Sequence, residues 1–511
     1  MSTVPSLLHP LGDDALSGAP EASLALTDLG LHQALAVMGD LGPELEALFR
    51  TPAGGADAVA YRYEVWDDLG AGVVESLLRR FTQQMGSLRE LLATAARARN
   101  AWQARRLVVE ACSAYTAHVR SLSTGLTSAC ASSRALRAFG TELEAYVGSA
   151  AFAELEEGSR AVLDELGEVR YTVLVRNNRV TVTTYQGEDD YALEVARTFA
   201  RFEAPGGQQY RFASSGPVEL DDVEARLLDV VAELHPGPFG RLDRFAAHNG
   251  AFFHPAVVSL EKGARFYLTY LDLVAPLRAR GLEVCRPQLS VGPGPTRAEG
   301  LYDLALALRA GTAANPPEVV PNDVDLAADE RTVIVTGPNS GGKTTLARAL
   351  GQAHYLATLG LPVPARRAEL VLPDRVATSF TQKEVLDLGR SHLEHELVHL
   401  HEVLAHAGPR TVVVLNETFS STTLRDALLL GRAVLGALAE RGSLCIFVTF
   451  VEELVTSVPG AVSLAAVVGT DDRLRRTYRF TRQPPQGAVY AAALAERYGL
   501  TDLGARDQVG R

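Results

Sequence analysis

The chain has 511 residues, of which 47% are hydrophobic, and its formal net charge is −12. By length this is on the order of three domains with packed cores, so a disordered or fibrous protein is excluded. The negative charge gives no overall attraction to nucleic acid, and any DNA contact must rely on a local basic surface. Charges and prolines interrupt every apolar run before it reaches the roughly 18 residues of a membrane span, so we expect a cytoplasmic protein with no membrane partner.

The first part of the chain is mainly helical in pattern. Residues 1–28 show little periodicity and are predicted to form a flexible N-terminal arm. Residues 29–300 are predicted to form a helical domain, with helical runs at 74–89, 91–118, 136–166, 191–202, 220–234 and 260–280. A Pro- and Gly-rich stretch at 291–295 then indicates a boundary.

A short β-hairpin is predicted to interrupt these helices near residues 169–185. The runs 171–175 and 180–185 are rich in β-branched residues, and the segment between them has the composition of a turn. Arg170, Arg176 and Arg179 lie near its tip. The densest basic region precedes it and contains Trp102; its arginines are Arg79, Arg80, Arg89, Arg97, Arg99, Arg105 and Arg106. These arginines either follow a phosphate backbone or form a solvated face paired with acids, and the second interpretation is favoured.

Strands and helices alternate in residues 301–511, as expected of an α/β nucleotide-binding domain. The runs that show this rhythm are 333–335, 346–357, 412–415, 424–439 and 444–449. Between the first two lies a match to G-x-x-x-x-G-K-[ST], formed by Gly337, Pro338, Asn339, Ser340, Gly341, Gly342, Lys343 and Thr344. Such a loop wraps phosphates with backbone N–H groups, while the lysine reaches the β and γ phosphates and the threonine hydroxyl ligates Mg²⁺, so ATP with Mg²⁺ is the predicted ligand.

A second buried-strand run, residues 411–415, ends in Asn416 and Glu417. This is the arrangement of a Walker B strand, in which the second acid polarises the attacking water and the residue before it organises the metal. Glu417 is therefore the predicted catalytic base, assisted by Lys343 and Asn416. Asn416 and Thr344 are the predicted Mg²⁺ residues, although asparagine offers a neutral oxygen where a carboxylate is expected.

The C-terminal region resembles the ATPase domain of the MutS mismatch-repair family. The segments that carry the resemblance are TGPNSGGKTT at 336–345, SHLEHEL at 391–397, LNE at 415–417 and VTF at 448–450. The resemblance implies a helical core and lever followed by an ABC-like P-loop NTPase domain, which dimerises around two ATP molecules. It adds Thr345, Ser391 and Thr449 to the nucleotide-binding residues, and Ser391 begins the segment that completes the site of the partner subunit.

The resemblance also implies a function and shows departures from the family pattern. The implied protein is a homodimeric, nucleotide-dependent clamp on mismatched, branched or distorted DNA, related to DNA repair. Because no mismatch-reading domain is evident, branched or distorted DNA is favoured. The family usually has Asp where Asn416 stands and His where Phe450 stands, which weakens the expectation of hydrolysis more than that of ATP binding. The alternative is a low-turnover ATP-binding switch that regulates a protein partner without binding DNA.

A competing motif lies inside the resemblance. His395, Glu396 and His399 match H-E-x-x-H, which on a helix can present two imidazoles to zinc. The third ligand of the metzincin extension is missing, because that extension needs Gly at 402 and His at 405, where this chain has Glu402 and Ala405. We therefore favour a histidine-rich helix beside the nucleotide site.

Overall fold

The computed structural model describes residues 4–10, 22–177, 179–188, 220–313, 316–380, 392–468 and 476–485. The chain forms two compact units that are interleaved in sequence: unit 1 includes residues 7–67 and 265–511, and unit 2 includes residues 4–6 and 68–264. The two units are groups of residues that pack together, and their borders need not coincide with domain borders in the sequence. The domain borders predicted after residues 28 and 300 therefore stay predictions. The mixed helix-and-sheet architecture is confirmed.

Unit 1 begins with short helices and with part of the predicted arm. The helices are α1 (Ala22–Asp28), α2 (Leu31–Val37), α3 (Pro43–Arg50) and α4 (Ala56–Gly70), and the last of these contains a border between the units. Leu7 and Leu8 are buried, and the Leu8 carbonyl accepts a hydrogen bond of 3.0 Å from Arg62 Nε. The sequence predicts a flexible arm in this region. In the structure, two apolar side chains and one backbone carbonyl of the arm have partners in the core.

Unit 2 is helical apart from one hairpin. Its elements are α5 (Val73–Arg97), α6 (Ala101–Ala129), α7 (Arg134–Val147), α8 (Ala150–Glu168), β1 (Tyr171–Arg176), β2 (Arg179–Thr184), α9 (Asp222–Leu234), α10 (Pro236–His248) and the start of α11 (Pro255–Ala279). The Asn100 side chain caps α6 and the Ser149 side chain caps α8, so the predicted runs 91–118 and 136–166 are each divided. The hairpin lies where the sequence predicts one. The predicted helix at 191–202 lies outside the described residues.

The rest of unit 1 contains two sheets. Its elements are β3 (Gln288–Ser290), β4 (Thr296–Leu301), α12 (Leu304–Thr312), β5 (Asn322–Leu326), β6 (Thr332–Thr336), α13 (Lys343–Thr358), β7 (Arg367–Val371), β8 (Arg375–Phe380), α14 (His392–His406), β9 (Thr411–Asn416), α15 (Leu424–Glu440), β10 (Leu444–Val448), α16 (Glu453–Ser457), β11 (Ala461–Val468) and β12 (Arg476–Arg482). The larger sheet has the order β12-β11-β6-β10-β9-β8, and only β12 is antiparallel to its neighbour. The smaller sheet, β3-β7-β4-β5, was not predicted. Within the described ranges, no helix has the length and apolar character that a membrane crossing requires.

The central strands of the larger sheet are continuous hydrophobic runs. Every residue of β6, β9 and β10 is buried. Parallel strands covered on both faces favour such β-branched sequences, because neither side of the strand meets water. The sheet therefore provides a rigid base whose carboxyl edge holds the loops that follow β6, β9 and β10.

Polar side chains of α4 and α11 bind the backbone just after α13. Trp66 Nε1 donates to Gly360 O at 2.8 Å, and Tyr63 Oη donates to Leu361 O at 3.1 Å. Tyr270 Oη donates to Pro362 O at 2.6 Å. Arg62, which is fully buried, donates from Nη1 to Leu359 O at 2.6 Å. We call these four carbonyls, 359–362, the carbonyl turn; each is satisfied by a side chain from α4 or α11.

We predict that Arg62→Met lowers the free energy of unfolding of unit 1 by about 2–4 kcal/mol, because it leaves the Leu8 and Leu359 carbonyls without their buried donor. Methionine keeps most of the packing of the side-chain stem, so the loss reports the hydrogen bonds. Denaturant unfolding followed by Trp66 fluorescence in a Trp102→Phe background measures it. The exposed Arg137→Met is the control, and equal stability of the two variants would contradict the prediction.

Candidate functional site

The loop between β6 and α13 contains the predicted phosphate-binding residues. Gly337 has φ of 142°, and a Cβ at this position would lie 2.6 Å from the Ala466 Cβ. At Gly341 a Cβ would lie 2.9 Å from Pro338 O. Only glycine fits at both positions, so the backbone can turn closely around the start of α13, where helix N–H groups favour an anion.

Lys343, the first residue of α13, is directed back over this loop. Its Nζ donates to Gly337 O at 2.7 Å and lies 3.3 Å from Pro338 O and 3.5 Å from Asn339 Oδ1. Burial lowers the pKa of Lys343, and the negative charges of Glu417 and Glu452 oppose that shift. The three neutral oxygens occupy the ammonium donors that phosphate oxygens could otherwise accept from.

Thr344 and Asn416 lie in direct contact at the end of β9. Thr344 Oγ1 donates to Asn416 Oδ1 at 2.8 Å, and the Asn416 side chain is largely buried. A hydroxyl and an amide oxygen are hard ligands of the kind that Mg²⁺ accepts, so this pair fits the predicted metal. Neither group brings a negative charge.

Backbone hydrogen bonds connect the ends of the three central strands. The Glu417 N–H donates to Val448 O at 2.9 Å, and the Thr449 N–H donates to Val335 O at 3.3 Å. As a result Glu417 and Lys343 line one cavity of about 360 Å³. The buried Thr449 hydroxyl accepts a hydrogen bond from the Val451 N–H, so its side chain is used by its own loop.

The cavity brings most of the predicted residues together. Its lining includes Pro338, Ser340, Gly341, Gly342, Lys343, Thr344, Thr345 and Glu417. Asn339 is exposed beside them. Ser391 lies outside the described residues. Phe450, two residues beyond β10, has 47% of its surface exposed.

Other lining residues were missed by sequence reasoning. Tyr302, Asp303, Glu318 and Val320 also line the cavity, and so does Tyr478 of β12, which packs next to Gly342. Asp303 is fixed by Arg348, whose Nε donates to it at 2.9 Å. No motif spacing marks these residues, because they come from segments that meet the loop only through tertiary packing.

Comparisons with known proteins agree with this geometry. Residues 333–491 match the family model described as MutS domain V. The DNA mismatch repair protein MutS of Granulibacter bethesdensis is 36% identical over 171 residues, which are 33% of this chain and 18% of that protein. Endonuclease MutS2 of Gemmatimonas aurantiaca is 33% identical over 188 residues, which are 36% of this chain and 23% of that protein.

A longer match extends beyond the nucleotide site. The MutS protein of Oleidesulfovibrio alaskensis is 27% identical over 323 residues, or 60% of this chain and 33% of that protein. The structure has a glycine-rich loop on a parallel sheet, and the part of the chain that contains this loop is similar to MutS domain V and to proteins of the MutS family. The aligned regions span about a fifth to a third of the length of these relatives.

We predict that Lys343→Ala weakens ATP binding by about 10- to 100-fold, because it removes a charge-assisted contact worth about 1.5–3 kcal/mol. Titration with a fluorescent ATP analogue measures the change. Lys262→Ala, the same substitution at an exposed lysine of α11, is expected to leave the affinity unchanged. Equal affinities for the two variants would remove Lys343 from the site.

Proposed function

We propose that this protein binds ATP and Mg²⁺ in the cavity between the phosphate loop and β9 and hydrolyses the ATP. The observation that carries the proposal is the shared cavity of Lys343 and Glu417. Lys343 and the loop N–H groups would hold the phosphates, and Thr344 and Asn416 would hold the metal. Bound Mg²⁺ would supply positive charge against the phosphates.

Glu417 is the proposed catalytic base. It lies at the carboxyl end of a buried strand, where its backbone is fixed by β10, and it faces the cavity that contains Lys343. A carboxylate in this place can orient a water molecule for attack and accept its proton. Because Asn416 contributes no charge to the metal, we propose slow turnover.

We further propose a homodimer that acts as a nucleotide-dependent clamp on DNA. The helical part, residues 29–300, would be the core and lever, and residues 301–511 the ATPase domain through which two copies associate around ATP. Three exposed apolar side chains support this association: Phe450 just beyond β10, and Leu424 and Leu429 on α15, the helix that follows the β9 loop. Relatives named for DNA mismatch repair support mismatched, branched or distorted DNA as the target.

The hairpin β1–β2 is the proposed DNA contact. Arg176 lies directly opposite Arg179 at its tip, both are exposed, and within the described residues no ion pair joins either to an acid. Like charges placed opposite each other destabilise a hairpin, so an external anion would relieve the repulsion. The basic helical region is different, because five of its seven arginines are paired with acids: Arg79 with Glu75, Arg89 with Glu261, Arg99 with Asp222, Arg105 with Asp243 and Arg106 with Glu110.

The second candidate function is an ATP-binding switch that regulates a protein partner and does not bind DNA. Two observations favour it: the neutral Asn416 in the metal position, and the net charge of −12. The two candidates differ in one measurable property, since binding to DNA must weaken as salt is added.

We predict that Glu417→Gln abolishes ATP turnover but retains ATP, because glutamine keeps the side-chain shape and loses the proton acceptor. Steady-state phosphate release and nucleotide retention after gel filtration measure the two properties. Glu440→Gln at the end of α15 is the control. Turnover at the wild-type rate in Glu417→Gln would refute the assignment of the base.

We predict that Arg176→Ala with Arg179→Ala reduces the slope of log affinity against log salt by about 2 and weakens DNA binding at every sequence, because two phosphate contacts are lost. Gel shifts at two salt concentrations with homoduplex, mismatched and four-way-junction DNA measure this. Arg106→Ala with Arg120→Ala is the matched control, since both arginines are exposed and paired with acids.

Two outcomes would contradict the proposal. Unchanged affinity in the hairpin variant would remove the hairpin from the interface. Absence of any wild-type shift at low salt, together with ATP turnover that DNA does not alter, would favour the protein-partner switch.

A further inference from the structure

Glu396 belongs to the H-E-x-x-H motif, but its carboxylate contacts the loop that follows β9. The residue lies on α14 and is 9% exposed. Both carboxylate oxygens accept from the backbone N–H of Phe419, Oε1 at 3.3 Å and Oε2 at 3.2 Å. His399, one turn further along α14, has its Nε2 2.7 Å from Thr378 O of β8. These two side chains of the motif are therefore engaged by backbone groups.

The loop that Glu396 contacts has an unfavourable backbone conformation. Glu417 has φ of 55° and Phe419 has φ of 67°, and neither is glycine. Such left-handed residues cost on the order of 1–3 kcal/mol each and persist only where the surroundings fix them. At Glu417 the backbone is fixed by the bond from its N–H to Val448 O. At Phe419 it is fixed by the burial of the ring and by Glu396.

We infer that Glu396 is a positioning residue for Glu417, holding the loop so that the Glu417 carboxylate faces the cavity shared with Lys343. This role rests on the proposed ATPase function. Glu396 does not touch the cavity and acts only through the loop. The role depends on the length of the side chain, which we call its reach, because the carboxylate must extend from α14 to the N–H of Phe419. A shorter side chain would leave this buried N–H without the Glu396 acceptor.

Three substitutions separate reach from charge. Glu396→Ala removes the acceptor, Glu396→Asp keeps the charge but shortens the side chain, and Glu396→Gln keeps the reach and an acceptor oxygen but loses the charge. We expect the Ala and Asp variants to lose about 10- to 100-fold in kcat, as misplacement of a catalytic group by about 1 Å does. The Gln variant should stay within about 5-fold of wild type, since a neutral acceptor makes a weaker hydrogen bond.

The expected change is in kcat and not in ATP binding. KM and the affinity for a fluorescent ATP analogue should stay within about 2-fold of wild type in all three variants. Equal loss of kcat and affinity would indicate general damage to the site and would overturn the role. A Gln variant as impaired as Ala, with an active Asp variant, would show that charge and not reach matters, and would also overturn it.

Glu402→Ala is the matched control, because Glu402 is an exposed glutamate of the same helix. If thermal melting shows that Glu396→Ala is unfolded, the Asp and Gln variants carry the test. Wild-type protein without ATP turnover would overturn the proposed function and this role together. Wild-type turnover that Glu396→Ala and Glu396→Asp both retain would overturn the role of Glu396 alone.

Discussion

The register of three parallel strands is the constraint on which the candidate site depends. β10 pairs with β6 on one side and with β9 on the other, so the residues that follow all three strands meet at one edge of the sheet. Two hydrogen bonds continue the pairing past the strand ends, from Glu417 to Val448 and from Thr449 to Val335. A slip of one residue in β9 would exchange the side chains of its two buried faces and disturb the packing on both, so the hydrophobic core helps to fix the position of Glu417.

Helix α13 connects this edge with a second fixed point. It begins at Lys343 in the site and ends at Thr358, directly before the carbonyl turn that Arg62, Tyr63, Trp66 and Tyr270 bind. A helix of this kind is rigid along its axis because its backbone bonds are internal. Within unit 1, the same helix therefore joins the candidate site at its first turn to side chains of α4 and α11 just beyond its last turn.

The sequence was sufficient to predict the parts of the site that local patterns encode. The phosphate loop and the Asn416–Glu417 pair follow buried strands, and parallel strands bring their carboxyl ends together, so their meeting was predictable. The smaller sheet was not, because β3 is only three residues long and its partners come from distant segments. The burial of Leu7 depends on partners that are far away in sequence, and no local periodicity reports them. For Glu396 the local pattern is that of a metal-binding helix, and only the tertiary position of the Phe419 N–H decides its use.

Asn416 stands where the resemblance implies a carboxylate, and this difference affects the electrostatics of the candidate site in two opposite ways. The negative charges of Glu417 and Glu452 both act on Lys343, so two carboxylates already influence the lysine of the phosphate loop. A third carboxylate at position 416 would attract Mg²⁺ more strongly but would also repel the triphosphate until the metal is bound. The amide keeps the hydrogen bond to Thr344 and avoids this repulsion. In the proposed function the amide would favour nucleotide binding over the chemical step, and a long-lived ATP state would serve both the proposed DNA clamp and the proposed protein-partner switch.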